Sequence, residues 1–253
     1  MKSLAERRNA SARIGSAYYT VARHRDTLLK REISTRLPTD GVFLDAGCGR
    51  NFFLARQFRG KCRLALGVDL FPMGVREHGV PGVQSDLAAL GVASGTVDVL
   101  ATRSVAEHLP EPLDALREIA RVLKPGGAAV MLCPNKWYYA CAAGRLVPES
   151  LSGKILKLIF GKSAYDNFPT YYRANTRRAM RRLADRAGLE LEAVQVTEHP
   201  PDYLKLSPFL YRLGVWFDQV TIRSKALHGL AVSFIFVLRK PGGSRSSPSG
   251  LGA

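Results

Sequence analysis

Asp45 and Asp69 each close a short apolar run, Asp86 caps a third short strand, and Gly47 and Gly49 follow Asp45 in G-x-G spacing. Glycine serves where a ligand must approach the backbone closely and where φ is positive. A carboxylate accepts two hydrogen bonds from adjacent hydroxyls, which suits a ribose diol. Asp69 lies 24 residues after Asp45 at the end of the second apolar run, the place where nucleotide-binding α/β folds hold that diol. The glycine turn alone also serves ordinary strand–helix packing. His108 is the general-base candidate, because an imidazole titrates near neutral pH. The alternative is a structural histidine that fixes the loop ahead of a helix.

These residues need a sheet to hold them. Residues 42–46, 64–69, 83–87, 97–101 and 128–132 read as five successive strands, with a helix over 112–123 that stops at Lys124-Pro125-Gly126-Gly127. Residues 4–36 read as one or two helices carrying Tyr18, Tyr19 and His24, either a cap over the site or packing on the sheet edge. Further on, Pro134 to Tyr139 places aromatics at a strand end, and 151–162 suits a short amphipathic helix, as a lid, a membrane contact or core. A helix capped by Asn175 or Thr176 runs to Ala187, with Arg177, Arg178, Arg181, Arg182 and Arg186 forming a basic face. A sixth strand over 189–196 with Leu189, Leu191, Ala193 and Val194 inward, and a seventh over 231–238, complete the sheet. Between them, 200–225 is apolar and aromatic but interrupted by Lys205, Arg212 and Asp218, so it is a lid, a dimer contact or an interfacial anchor and not a span.

The series LDAGCG, GVDL, SDL and EHLPEPLDALREIARVLKPGG resembles the class I S-adenosylmethionine-dependent methyltransferases, most closely the branch that modifies small molecules and lipids, such as quinone-biosynthesis methyltransferases. The resemblance covers roughly residues 40 to 135. It implies S-adenosyl-L-methionine as cofactor and a doubly wound, Rossmann-like α/β sheet of seven strands, mostly parallel with the last antiparallel. It also implies that Asp45, Gly47, Cys48 and Gly49 meet the amino-acid part of the cofactor, Asp69 the ribose, and Leu70 the adenine. Asp86 and Leu87 would meet the adenine as well, and Arg103 and Ser104 would line the site near the sulfonium. Tyr171, Tyr172 and Arg173 are substrate-contact candidates. The sequence departs from the pattern at Asn51, which stands where the family has its third glycine and predicts a slightly altered turn.

Composition fits one α/β domain over 1–240, with an N-terminal helical cap (1–40), lid insertions (136–175 and 200–225) and a tail (241–253) disordered by composition. Cys48, Cys62, Cys133 and Cys141 show no metal spacing, and Cys48 and Cys133 read as small buried residues. No N-terminal signal segment is visible, which sets a cytoplasmic expectation, with peripheral membrane contact open.

The formal charge is +16, yet residues 42–133 hold 10 basic and 9 acidic side chains, so nearly the whole excess lies in the flanks. That implies an anionic partner: a phosphorylated or lipid-linked substrate, a membrane surface or nucleic acid. Arginines that merely solvate helices are the bland alternative. No Asn/Asp-Pro-Pro-Tyr stretch follows the fourth strand, which argues against methylation of an exocyclic base amine, and no Pro-Cys pair there supports a covalent pyrimidine mechanism. Methyl transfer to a small-molecule or lipid-linked acceptor therefore leads. An RNA-modifying or RNA-binding protein and a non-catalytic scaffold are the alternatives, and the oligomeric state stays open.

Overall fold

An apolar run without a polar break is stable only in a sheet covered on both faces. In the computed structural model, which describes residues 3–72, 76–144 and 168–242, β1 (Val42–Ala46) opens on such a run, Val42 to Leu44 ahead of Asp45, and every residue of it is buried. It lies at the centre of one sheet, with β2 (Leu64–Asp69) on one side and β5 (Val97–Arg103) on the other, both parallel to it. The remaining strands are β3 (Arg76–Glu77), β4 (Val80–Gln84), β6 (Leu123–Pro134), β7 (Glu190–Thr197) and β8 (Ser233–Arg239), and the spatial order is β3-β4-β2-β1-β5-β6-β8-β7. β8 runs antiparallel to both of its neighbours. All seven expected strands are present, and the two-residue β3 adds an antiparallel edge.

Helices cover both faces. On one side lie α4 (Pro112–Val122) and α6 (Arg177–Arg186), burying Leu116, Ile119, Met180 and Leu183 against the sheet. On the other lie α2 (Arg25–Ser34) and α3 (Ala55–Phe58), burying Leu28, Leu29, Ile33, Leu54 and Phe58. α4 buries Ala115, Leu116, Ile119 and Val122 at spacings of one, three and three, one stripe of a 3.6-residue period, and begins at a proline whose missing N–H costs nothing there. α1 (Leu4–Tyr18) precedes α2, α5 covers Tyr139–Gly144, and α7 covers Pro208–Arg223. Thr176, not Asn175, caps α6, its hydroxyl accepting from the Ala179 amide at 3.1 Å, while the Asn175 amide donates to the Pro134 carbonyl.

Three boundaries differ from the sequence reading. The third strand ends at Gln84, leaving Asp86 and Leu87 in the turn that follows. Lys124-Pro125-Gly126-Gly127 is taken into β6 at a register irregularity opposite β5, rather than forming a loop. In β7 a register shift between Leu191 and Ala193 puts Leu191 and Val194 against one core cluster and Ala193 against the other. The helix expected over 151–162 and the tail beyond residue 242 lie outside the described residues.

Candidate functional site

The order β4-β2-β1-β5 makes the chain leave β1 toward one side and later return on the other. A crevice opens at the carboxyl ends of strands where the order reverses in this way. The three aspartates and the glycine turn all stand at that end of the sheet. Gly47 has φ 77° and Gly49 φ 60°. A Cβ on Gly47 would strike Val105, whereas beside Gly49 there is open space to at least 4 Å. The third left-handed residue is Phe52 (φ 48°) and not Asn51, so the missing glycine is not needed at position 51. Phe52 is fully buried over Gly67, whose lack of a side chain makes room for the ring and for the Cys48 sulfur.

Asp69 faces the crevice with its carboxylate held in place. Oδ2 accepts the Gly49 amide at 2.7 Å and Oδ1 the Phe71 amide at 3.3 Å. Each oxygen keeps a further lone-pair site, so a diol can still be bound. Asp45 sits one layer lower: its Oδ2 accepts the Leu54 and Ala55 amides at 3.0 and 2.9 Å, fixing the start of α3. Complete burial pushes its pKa up to about 7. Asp45 thus positions the turn and does not present a free carboxylate to a ligand.

Leu70, half exposed at the end of β2, and Asp86, exposed with Oδ1 accepting the Ala88 amide, stand open on the β2–β4 side of the crevice. Leu87 does not: its side chain is buried in the core cluster. Cys48 likewise turns its sulfur into a small core with Phe52, Ala55 and Val80, and its amide donates to the Val68 carbonyl. Both were expected at the cofactor because they sit beside motif residues, but their apolar side chains gain more from burial than from the mouth of the sheet.

Arg103 stands at the site with its charge already paired. Its guanidinium makes a bidentate pair with Asp26 of α2 (2.7 and 3.1 Å) and stacks on Phe53 at 4.6 Å. The charge is therefore neutralised, and the side chain forms a wall of the site instead of a free cation beside a sulfonium. Ser104 holds a left-handed φ of 57°, with its amide on the Leu132 carbonyl. Such strain, about 1 kcal/mol for a non-glycine residue, clusters at functional positions.

A strap crosses the crevice mouth. Phe168 lies edge-on to Phe71, just past β2, at 5.4 Å, and 5.9 Å from the His108 ring, just past β5. His108 Nδ1 pairs with the Pro169 carbonyl at 3.0 Å, and the Tyr171 and Tyr172 amides donate to the Glu107 carbonyl at 2.7 and 3.2 Å. His108 is thus the latch of this strap, an observation that favours its structural role. Tyr171 stays at the surface beneath the Arg173 guanidinium, and Arg173 pairs with Glu111 at 2.6 Å. Tyr172 lines a neighbouring hollow of about 470 Å³, together with Lys136, Trp137, Arg173, Arg182 and Arg186. Tyr172 and Arg173 thus share the hollow, while Tyr171 lies on the far side of the Arg173 guanidinium at the surface.

Several polar residues near the crevice were missed. Glu107 is buried, and its Oε2 has no hydrogen-bond partner. Desolvation pushes its pKa up to about 7 despite Arg25 nearby. His24, noted only as part of a cap, accepts the Asp26 amide on Nδ1 at 3.3 Å, which leaves the proton on Nε2 to donate to His199 Nδ1 at 3.4 Å. Burial holds His199 neutral, its pKa down to about 3. The only sequence signal for Glu107 was its place just past the fourth strand. His199 had none, since its partner His24 lies 175 residues away.

Residues 44–131 match the family described as methyltransferase domain. Together with the strand order and the glycine turn, the match settles the class. These residues form a class I methyltransferase domain. Over 99 residues, 37% of this chain, the sequence is 34% identical to an uncharacterized methyltransferase of Mycobacterium sp. (strain JLS), and the match spans 39% of that relative. A ubiquinone biosynthesis O-methyltransferase of Xanthomonas oryzae pv. oryzae is 28% identical over 175 residues, covering 63% of this chain and 71% of the relative. The chain thus spans about two-fifths of the length of the uncharacterized mycobacterial relatives it matches.

Among solved structures, geranyl diphosphate C-methyltransferase from Streptomyces coelicolor A3(2), bound to Mg2+, geranyl-S-thiolodiphosphate and S-adenosyl-L-homocysteine, superposes with a TM-score of 0.53 at 16% identity, over 85% of this chain and 76% of that one. The [4+2]-cyclase SpnF superposes equally well, with a TM-score of 0.53 at 19% identity, over 86% of this chain and 81% of that one. The likeness establishes the fold, and one fold carries both chemistries.

Proposed function

We propose that this protein transfers a methyl group from S-adenosyl-L-methionine to a small-molecule or lipid-linked acceptor. The observation that carries the reading is the pairing of Asp69 with the Gly49 amide beside open space, inside a matched methyltransferase domain. The residues present suit this cofactor. Asp69 takes the ribose hydroxyls, exposed Asp86 the adenine amine, Leu70 a face of the ring, and the Gly47–Gly49 turn admits the amino-acid part without steric conflict. The cofactor, when bound, supplies an activated methyl on a sulfonium. The protein's share is to align the acceptor, exclude water and take a proton where the acceptor has one.

For the proton, Glu107 is better placed than His108, because its Oε2 is unpartnered while His108 holds the strap. The basic hollow next to Tyr172 supports an acceptor with an anionic end. The test is to incubate the protein with methyl-labelled cofactor and phenolic or quinol acceptors, with and without anionic substituents, and with RNA. Label appearing in the small acceptors, preferentially anionic ones, supports the reading. Label appearing in RNA alone moves the proposal to the second class.

A further inference from the structure

The strongest feature outside the site is α7. One of its faces is buried through Tyr211, Gly214, Val215, Asp218 and Thr221. The opposite face should be polar in a helix that ends at solvent. Instead it carries Phe209, 71% exposed, and Trp216, 65% exposed, with Leu210 and Leu213 each about half exposed. At 100° per residue, 209, 213 and 216 fall within one narrow stripe and 210 on its shoulder. Arg212 and Arg223 run along one edge of that stripe, both exposed, with exposed Lys225 just past the helix end. Between Ser207 and Leu230 the one acid is Asp218, which is buried. It is sealed by the Tyr19 and Tyr138 hydroxyls, at 2.6 and 3.0 Å. The face is therefore apolar in its middle, cationic at its border, and free of exposed negative charge.

We propose that this face of α7 docks on the headgroup region of an anionic lipid bilayer. Phe209, Leu213 and Trp216 enter the interface, and Arg212, Arg223 and Lys225 meet the lipid phosphates. Apolar residues with cationic borders are the pattern by which a helix lies in the plane of an interface, and each border cation adds attraction to anionic headgroups. Charge decides between a bilayer and a second copy of this chain. Two copies packed face to face would bring the same arginine edge into one interface with no exposed acid from this helix to answer it, whereas an anionic bilayer complements it. The helix is too short and too interrupted to cross; among the described residues no helix is long and apolar enough for that. Docking of this kind requires neither cofactor nor acceptor, so it is testable apart from methyl transfer.

The experiment uses the full chain in a Trp137→Phe background, which leaves Trp216 as the sole tryptophan, with vesicles of phosphatidylcholine alone or mixed with phosphatidylglycerol. The expected result is co-sedimentation with the mixed vesicles, weakened by salt, together with a blue shift of Trp216 emission and its quenching by brominated lipid. In the wild-type background, Phe209→Ser/Trp216→Ser should lower the vesicle affinity at least tenfold, and Arg212→Glu/Arg223→Glu should abolish the preference for phosphatidylglycerol. Both variants alter exposed side chains, and circular dichroism checks that they remain folded. Vesicle binding that is unchanged in the serine variant would overturn the proposal. So would a dimer in sedimentation velocity that the same variant dissociates, or Trp216 emission already blue in the lipid-free monomer.

Discussion

Gly47 and Gly49 share a left-handed backbone but differ in what surrounds them, and that difference separates folding from binding. Gly47→Ala adds a methyl group against Val105 as well as backbone strain, and should cost about 2 kcal/mol or more in chemical denaturation. Gly49→Ala meets no neighbouring atom and should cost only about 1 kcal/mol, yet it fills the space proposed for the cofactor. Its affinity for S-adenosylhomocysteine should therefore fall at least tenfold in a variant that melts near the wild-type temperature. Equal and small effects of the two substitutions on binding would contradict the assignment of the turn.

Glu107 gives a pH-dependent prediction. Its carboxyl is raised by burial from the ordinary 4.5 to about 7, with Arg25 on one side and buried Cys133 close by. A raised carboxyl favours the folded state only while protonated. That contribution is complete below about pH 4.5 and lost as pH rises through 7. Glu107→Gln mimics the neutral acid, so its stability relative to wild type should increase from pH 5 to pH 8, by up to roughly 3 kcal/mol. Melting curves of the two proteins at several pH values check the sign, and a difference that stays flat with pH would show that Glu107 is ionised without cost.

The sequence made the aspartates and glycines legible because their roles depend on immediate neighbours. The pairing of Arg103 was not readable, because its partner Asp26 lies 77 positions away. Choices made across that distance leave no mark in local spacing.

At the scale of elements, the strap and α7 are each tied down by a few polar contacts. His108→Ala removes the contact to the Pro169 carbonyl and half of the aromatic bridge across the crevice. The strap should then become cleavable by protease near residues 168–172 while global stability falls by only about 1 kcal/mol. Resistance equal to wild type would show that the Glu107 backbone contacts suffice. α7 depends on Asp218, whose carboxylate accepts from Tyr19 just past α1 and from Tyr138 after β6. Asp218→Ala would take the acceptor from the Tyr19 hydroxyl and leave Tyr138 only its 2.6 Å pairing with the Tyr203 hydroxyl, and should cost about 1–3 kcal/mol in denaturation. Most of the strands were readable as short apolar runs, α4 from its stop at Lys124-Pro125-Gly126-Gly127, and α6 from its N-cap and basic face. α7 resisted a single reading because its apolar residues surround the helix, and only packing showed which ones are left outside.

For the whole molecule, the central fact is that β1 is flanked by β2 and β5, which brings a turn near residue 48, an acid at 69 and a strap from residue 168 to one mouth. The strand sequence and the class were readable from motif order alone. The pairing of the last three strands was not legible from periodicity, since β8 inserts between β6 and β7; the antiparallel last strand was an implication of the family resemblance. A ligand that binds only the assembled mouth should stabilise the entire fold by mass action, about 2.7 kcal/mol at a hundredfold excess over its Kd.

The most direct measurement is calorimetric titration of S-adenosylmethionine and S-adenosylhomocysteine into the wild type and Asp69→Ala, with circular dichroism as the check on folding. If Asp69 and the glycine turn hold the cofactor, the wild type binds both ligands with micromolar affinity and the variant loses tenfold or more, about 1.4 kcal/mol. A folded wild type that binds neither ligand would contradict that role and leave the fold as a scaffold for other chemistry.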